Sequence, residues 1–232
     1  MLATIIPALP QTGVIGSDDR VIISEKGTPW SAVGQVNISG YRNRVSCTGA
    51  LIAPDRVLTA AHCLINSRSG GILPIHHMHF LAGVNRGQHL GHSKVKCVHL
   101  PEYLKSIQHK GERRKLLEND FAVLVLKNKL KVPPLSLSAD LKEDTSLIHP
   151  SYPRDRRHIL SAHFNCKVLK KYRGIWTTNC DTNHGSSGGP VLAKNKNSYN
   201  IAGVMVAVNK GRFSLMVPSK SILQSMENLN CN

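Results

Sequence analysis

Short apolar or alternating segments, interrupted every few positions by Gly, Pro, Asn or Ser, recur through most of this 232-residue chain. Alternation with a period of two is typical of strands that bury one face, and the frequent turn residues are typical of antiparallel connections. The pattern predicts an all-β protein of about ten short strands in barrels or sandwiches. The predicted strands cover residues 32–38, 48–53, 57–60, 79–83, 121–126, 157–164, 175–180, 191–193, 201–208 and 213–217.

The middle and the two ends of the chain depart from this pattern. Residues 131–134 read Lys-Val-Pro-Pro, and because proline removes a strand donor they predict a linker between two halves. Residues 1–15 are equally compatible with the tail of a secretory signal or propeptide and with an ordered arm. No apolar run is long enough to predict a transmembrane segment. A short C-terminal helix is predicted after Pro218 and Ser219 from the spacing of Ile222, Leu223, Met226 and Leu229.

Charge and aromatic content narrow the classes of partner. The chain has 30 Lys and Arg against 14 Asp and Glu, a formal charge of +16 that favours acidic partners. Aromatic residues make up only 5%, which disfavours a module that stacks nucleic-acid bases on rings. Residues 94–131 hold ten basic against four acidic residues, and residues 154–173 hold seven against one. These segments form either a solvated surface or a docking patch for a polyanion or cell envelope.

Six cysteines without any CxxC pair predict disulfides rather than a zinc ribbon, and therefore a secreted protein, extracellular or periplasmic. Five histidines raise a metal site as an alternative, but no HExxH motif or cysteine partner supports one. A solvated loop is favoured for them, and neither a metal nor a cofactor is expected. These histidines are His76, His77, His79, His89 and His92.

Three short segments carry side chains suited to nucleophilic catalysis. LTAAHC places His62 just after a predicted strand, NDFAVL places Asp120 at the start of an apolar strand, and GSSGGP places Ser187 in a glycine-rich turn. The order His, Asp, Ser is one of the orders known for catalytic triads. Each segment alone also fits a core histidine, a capping aspartate or an ordinary turn, so the prediction of a triad depends on all three.

Each of these residues has a defined chemical task. A serine hydroxyl is a weak nucleophile without a base, and imidazole titrates near neutral pH, so His62 is the expected base for Ser187. Asp120 would hold the imidazole in the required tautomer. The glycines let the N–H groups of Gly185 and Ser187 point at one position, where they would form an oxyanion hole.

The motifs TAAHC, NDFAVL and GSSGGPV resemble those of the chymotrypsin-like serine peptidase family, over roughly residues 18–226. The resemblance implies two six-stranded antiparallel β-barrels with the active site between them and a short C-terminal helix. The first barrel would span residues 18–132 and the second, with the helix, residues 133–232, after an arm or signal remnant at 1–17. It further implies a serine endopeptidase acting on proteins or peptides through an acyl-enzyme, without a cofactor, and we expect a monomer.

One departure from the trypsin pattern concerns activation. Ser186 stands where trypsin-type enzymes carry an aspartate that pairs with a new N-terminus, so the resemblance implies no such salt bridge. The start Val14-Ile15-Gly16 is therefore only superficially like an activation site, because its ammonium group would lack that partner. In these features the chain resembles the bacterial trypsin-like and V8-like glutamyl-endopeptidase branch of the family more than it resembles trypsin itself.

The resemblance leaves specificity open. Asp181 lies six residues before Ser187, where trypsin has the acid at the base of its S1 pocket, so we expect cleavage after Lys or Arg. The alternative is that Asp181 is a structural acid. Cleavage after Glu is a further alternative, which His184 and Thr182 support and Met205, in place of a histidine, opposes. The other expected S1 residues are Val206, Ala207 and Val208.

The resemblance also implies cysteine pairings. Cys47 and Cys63 match the family's histidine-loop disulfide, and closing that loop would stabilise the fold by roughly 3 kcal/mol. Cys166 and Cys180 are expected to pair just before the nucleophile turn. Cys97 and Cys231 remain, as a third bridge or as two free thiols.

A function of another class competes with catalysis. A catalytically silent homologue would keep the fold and bind a polyanion or a protein through its basic faces. The three motifs favour the peptidase.

Overall fold

The computed structural model describes residues 13–39, 44–66, 68–106, 112–138, 141–142, 144–196, 198–209, 211–226 and 229–231. The predictions for residues 1–12 lie outside this part of the chain. The strands are β1 (Arg20–Ile22), β2 (Val33–Ser39), β3 (Arg44–Ala53), β4 (Arg56–Thr59), β5 (Met78–Ala82), β6 (Gly91–His99), β7 (Ala122–Leu126), β8 (Leu147–Ser151), β9 (Ser161–Cys166), β10 (Val168–Tyr172), β11 (Ile175–Thr178), β12 (Pro190–Asn195), β13 (Ser198–Asn209) and β14 (Phe213–Pro218). The α-helices are α1 (Glu102–Ser106), α2 (Arg113–Glu118) and α3 (Ser219–Ser225).

The first lobe is a closed antiparallel barrel with the strand order β2-β3-β4-β7-β6-β5. Its strands alternate as the sequence predicts: in β5 Met78, Phe80 and Ala82 are buried, while the residues between them are half-buried. β7 is buried along its whole length. The predicted first barrel of six strands is therefore confirmed.

The second lobe is an eight-stranded antiparallel sheet with the order β1-β9-β8-β12-β13-β14-β11-β10. The two-lobed all-β fold is confirmed, but this lobe has eight strands rather than the six expected. β1, which the sequence interpretation placed in the first barrel, pairs with β9 instead. The physical reason is the side chain of Arg20, which is buried against the second lobe with ion pairs to Asp18 (2.8 Å) and Asp155 (2.7 Å).

A single cluster of buried apolar side chains continues from the barrel into the second lobe. Tyr152 lies at this junction, fully buried, with its hydroxyl 3.1 Å from the carbonyl oxygen of Val84 and 3.4 Å from that of Val33. Burial raises the pKa of the Tyr152 phenol. Because Tyr152 belongs to the second lobe and both carbonyls belong to the first, this contact holds the lobes in register.

The predicted C-terminal helix is present as α3, with Ile222 fully buried on the second lobe. Ser219 opens the helix, and its hydroxyl donates to the carbonyl oxygen of Ile201 (2.6 Å). A disulfide between Cys97 and Cys231 joins the C-terminal segment to β6. No helix among the described residues is long and apolar enough to cross a membrane.

Strand prediction was incomplete where strands are charged or short. The chain forms β1, β6, β8 and β10, which the periodicity did not predict: β1 has only three residues, β6 and β10 contain two lysines each, and β8 contains Pro150. The predicted strand 157–164 was wrong over its first half. Residues 157–160 form a turn and a bridge, and the strand begins only at Ser161.

Candidate active site

His62 lies in a 3₁₀ turn, Ala61–Cys63, that directly follows β4. Buried Ala61 and Cys63 flank it, while the His62 side chain itself is 46% exposed. The turn therefore anchors the backbone of the histidine in the barrel and leaves its ring facing solvent beside the second lobe.

Asp120 precedes β7 and is buried, and both of its oxygens contact His62. Oδ2 lies 2.7 Å from Nδ1 of His62, and Oδ1 accepts a hydrogen bond of 2.9 Å from the His62 backbone N–H. These two contacts orient the imidazole and leave Nε2 as the nitrogen that can accept a proton. Burial lowers the pKa of His62, but the hydrogen bond and charge of Asp120 raise it, and the net pKa lies above its ordinary value of 6.5.

Ser187 is half-buried in the turn between β11 and β12, which needs glycine at two positions. Gly185 has φ +93°, and a side chain there would meet the backbone carbonyl of Tyr152 at 2.7 Å. Gly188 has φ +80°, and a side chain there would collide with Thr59 and the backbone of Thr48. Only glycine lets the turn approach Tyr152 of the second lobe and Thr48 and Thr59 of the first this closely.

The N–H groups of Gly185 and Ser187 have no hydrogen-bond acceptor among the described residues. The neighbouring Ser186 is instead fully engaged: its N–H donates to the Asn183 carbonyl (2.9 Å) and its hydroxyl accepts from Ser151 (2.9 Å). The loop is thus held through Ser186, and two adjacent donors remain available for an oxyanion.

Thr48 of β3 holds the nucleophile turn from the first lobe, a role that no sequence motif indicated. Its N–H donates to the Ser187 carbonyl (2.9 Å) and its hydroxyl to the Gly185 carbonyl (2.8 Å), while that hydroxyl accepts from the N–H of Tyr152 (3.0 Å). These bonds point the carbonyls of Gly185 and Ser187 into the barrel.

Ser187 and His62 line the same cavity of about 780 Å³, together with Gly185 and His184. No hydrogen bond joins the Ser187 hydroxyl to Nε2 of His62 in this structure. Such bonds are often long in unliganded enzymes and shorten when substrate binds. The structure therefore brings all three predicted catalytic residues to one place, with the Asp–His contact already formed.

Asp181 does not line this cavity, and its carboxylate faces backbone N–H groups rather than solvent. Its side chain is completely buried. Oδ1 accepts from the N–H of Ile15 (2.8 Å), Oδ2 accepts from the N–H of Asp19 (2.9 Å), and Nδ1 of His163 lies 3.2 Å away. This burial and these contacts support the alternative that Asp181 is a structural acid, and cleavage after Lys or Arg stays a prediction.

The other expected pocket residues are divided. His184 is exposed and lines the cavity, whereas Thr182 is buried and its N–H binds the carbonyl of Gly13. Residues 206–208 lie on β13 outside the cavity lining, Val206 buried and the next two half-buried. No charged side chain occurs among these three.

Disulfides brace the site from both lobes. Cys47–Cys63 joins β3 to the His62 turn, and Cys166–Cys180 ties β9 to the segment before Asp181. With Cys97–Cys231, the structure contains all three pairs expected, and no described cysteine is free.

The histidines considered as metal ligands separate into two groups. His79 Nδ1 lies 2.9 Å from His92 Nε2, with His89 beside His92, while the rings of His76 and His77 contact each other. Burial and the neighbouring charges lower the pKa values of His79 and His92. His79 on β5 and His92 on β6 line the cavity, so these two histidines do not belong to the solvated loop that the sequence favoured.

A family model described as a trypsin-like peptidase domain matches residues 47–199. The cercarial protease of Schistosoma mansoni is 28% identical over 165 residues, which cover 65% of this chain. The matched region spans 59% of that relative's length.

Solved structures with the same fold include proteases of low sequence identity. A Glu endopeptidase, solved in complex with MPD, superposes with a TM-score of 0.75 at 21% identity, covering 91% of this chain and 95% of that one. The protease Anisep from Arthrobacter nicotinovorans gives 0.67 at 19% identity, covering 85% and 94%. The thermostable serine protease AL20 gives 0.67 at 16% identity, covering 84% and 95%.

Proposed function

Because this chain belongs to the trypsin-like peptidase domain family, we propose that it is a serine endopeptidase that hydrolyses peptide bonds of proteins or peptides. The observation that carries the proposal is the double contact of Asp120 with His62, beside a cavity shared with Ser187. Free N–H groups at Gly185 and Ser187 support the same chemistry.

In the proposed mechanism, the Ser187 hydroxyl oxygen attacks the scissile carbonyl carbon while Nε2 of His62 takes the hydroxyl proton. Asp120 stabilises the imidazolium that forms. The carbonyl oxygen becomes an oxyanion bound by the N–H groups of Gly185 and Ser187. The C–N bond then breaks, His62 gives its proton to the leaving amine, and Ser187 holds the acyl group as an ester.

Deacylation repeats these steps with water in place of the amine. His62 takes a proton from water, the hydroxide attacks the ester carbon, and the proton passes to the Ser187 oxygen as the acid product leaves. Each step uses only the three side chains and two backbone donors.

Labelling with a fluorophosphonate probe tests this function directly. We expect stoichiometric labelling of the wild type at Ser187, loss of labelling in Ser187→Ala, and unchanged labelling in Ser225→Ala, which removes an exposed hydroxyl on α3. A folded wild type that remains unlabelled would instead identify a silent homologue.

We also propose that the enzyme acts outside the cytoplasm, as a monomer. Three disulfides support this location, because such bonds persist in oxidising compartments. A polyanion is a proposed secondary partner, supported by a shallow groove at β10 lined by Lys142, Lys167, Lys170 and Lys171 with Asp144 as its acidic residue.

A further inference from the structure

Arginine and histidine side chains from separate parts of the chain line the cavity beside Ser187. Arg154 and Arg157 come from the segment after β8, His158 follows them, and His79 and His92 line the cavity from β5 and β6. His184, from the nucleophile loop, completes the set. The described residues that line the cavity include no Asp or Glu.

The two arginines have charges that no described acidic group neutralises. Arg154 and Arg157 are exposed, and neither guanidinium has a hydrogen bond or ion pair with a described residue. The neighbouring Arg156 differs, because its guanidinium binds the Arg20 carbonyl (2.6 Å) and Asp18 (2.8 Å). Arg156 therefore has a structural role, whereas Arg154 and Arg157 line the cavity.

Arg154 is also tethered to the catalytic loop. Its backbone N–H donates to the carbonyl of His184 in a bond of 2.6 Å, one residue before the oxyanion donor Gly185. A substrate whose carbonyl oxygen reaches the N–H groups of Gly185 and Ser187 consequently passes close to this arginine.

The position of the cavity indicates which part of a substrate enters it. Of the residues expected to bind the acyl side, His184 lines it, whereas Asp181, Thr182 and 206–208 do not. Besides Ser187 and His184, its lining includes Cys47 and residues of β2, β5 and β6, all in the first lobe. This first-lobe part of the cavity is open to the part of the substrate that leaves as the amine.

We propose that this cavity binds an acidic side chain of the leaving segment, so that the enzyme prefers Asp or Glu within the first three residues after the scissile bond. The inference rests on the proposed peptidase function and adds a substrate class to it. A guanidinium binds a carboxylate through paired, charge-assisted hydrogen bonds, and charges inside a cleft are screened less than charges on an open surface.

The test begins with a library of unblocked peptides, whose cleavage sites are read by mass spectrometry. One cleaved peptide is then made with Glu, Gln or Lys at each of the three positions after the bond. We expect Glu to raise kcat/KM at least about fivefold over Gln at one position, with Lys below Gln.

Two cavity variants and one matched control assign this preference to the arginines. Arg154→Gln and Arg157→Gln should each reduce the ratio of Glu to Gln by half or more, and Arg154→Glu should reverse the order of Glu and Lys. Arg173→Gln removes the same charge from an exposed turn outside the cavity and should leave the ratio unchanged. Fluorophosphonate labelling of every variant verifies that Ser187 remains reactive.

The outcomes separate the two proposals. A labelled, active enzyme with no acidic preference after the bond, or with a preference confined to the acyl side, overturns the cavity inference and leaves the peptidase function standing. An equal loss in Arg173→Gln overturns it too, because the effect would then come from net charge. A wild type that is neither labelled nor active removes the function and the inference with it.

Discussion

At the level of single residues, the chemistry depends on how Asp120 holds His62. The carboxylate binds both the imidazole and the backbone N–H of His62, so the same side chain fixes the position of the ring and its tautomer. The sequence was sufficient to predict this pair, because both residues lie in short motifs beside strands. It did not predict Thr48, since a threonine in a strand has no distinguishing pattern.

Replacing Asp120 by Asn should lower kcat by about 10,000-fold, because an amide N–H facing Nδ1 favours the wrong tautomer. The wild-type kcat/KM should rise with pH through a pKa above 6.5, since only unprotonated His62 accepts the serine proton and Asp120 raises its pKa. In Asp120→Asn that midpoint should move to lower pH. Steady-state rates across the pH range measure both effects.

Asp55→Asn is a suitable control, because Asp55 pairs with Arg56 in a turn away from the cavity. Its rate and pH profile should match the wild type. An Asp120→Asn enzyme with a wild-type rate would contradict the proposed role of Asp120.

At the level of elements, the contact between segment 13–19 and Asp181 shows why the position of a residue in a motif does not by itself give its role. Counting back from Ser187 places Asp181 where a relative has its specificity acid, but in this chain two backbone N–H groups of that segment occupy the carboxylate. A motif records sequence distance, whereas the pairing of two distant segments decides which side chains reach solvent.

Asp181→Asn should therefore reduce stability rather than change specificity. Burial raises the pKa of Asp181, but hydrogen bonds from His163, Ile15 and Asp19 lower it, to a net pKa below the usual range. Loss of this charged acceptor should cost about 1–3 kcal/mol of unfolding free energy at neutral pH. Urea denaturation measures the change, and relative cleavage after Lys or Arg should be unchanged.

The pH dependence has a definite sign. Because the folded-state pKa is depressed, the stabilisation by Asp181 is complete above the ordinary aspartate pKa of about 4 and is lost as pH falls through the folded-state value. Asp181→Asn should weaken this acid sensitivity. Glu102→Gln, which alters an exposed carboxylate on α1, serves as the control, and an equal effect there would argue against the assignment.

At the level of the whole molecule, the charge of +16 is distributed unequally among uses. Arg20 forms buried ion pairs that join β1 to the second lobe. Arg154 and Arg157 line the catalytic cavity, and lysines line the groove at β10. Net charge alone could not distinguish these three roles of basic residues, because it does not show which side chains are buried.

If the β10 groove binds a polyanion, affinity for a sulfated polysaccharide should fall about 100-fold between roughly 50 and 200 mM salt, as expected for about four released counterions. Lys142→Gln combined with Lys167→Gln should make the salt dependence shallower. Lys26→Gln, an exposed charge in the segment after β1, should have a much smaller effect. Binding isotherms at several salt concentrations provide the slope, and a slope unchanged by the paired substitution would refute the groove as the site.

The sequence by itself determined the features that local chemistry specifies: alternating strands, a glycine turn, and His62, Asp120 and Ser187 within recognisable motifs. The tertiary structure alone decided that β1 joins the second lobe, that the Asp181 carboxylate binds backbone N–H groups, and that Arg154 and Arg157 share a cavity with histidines from β5 and β6. The physical reason is that these outcomes depend on contacts between segments remote in the chain. Such contacts arise from packing, burial and the satisfaction of backbone donors across the whole fold, which no local pattern contains.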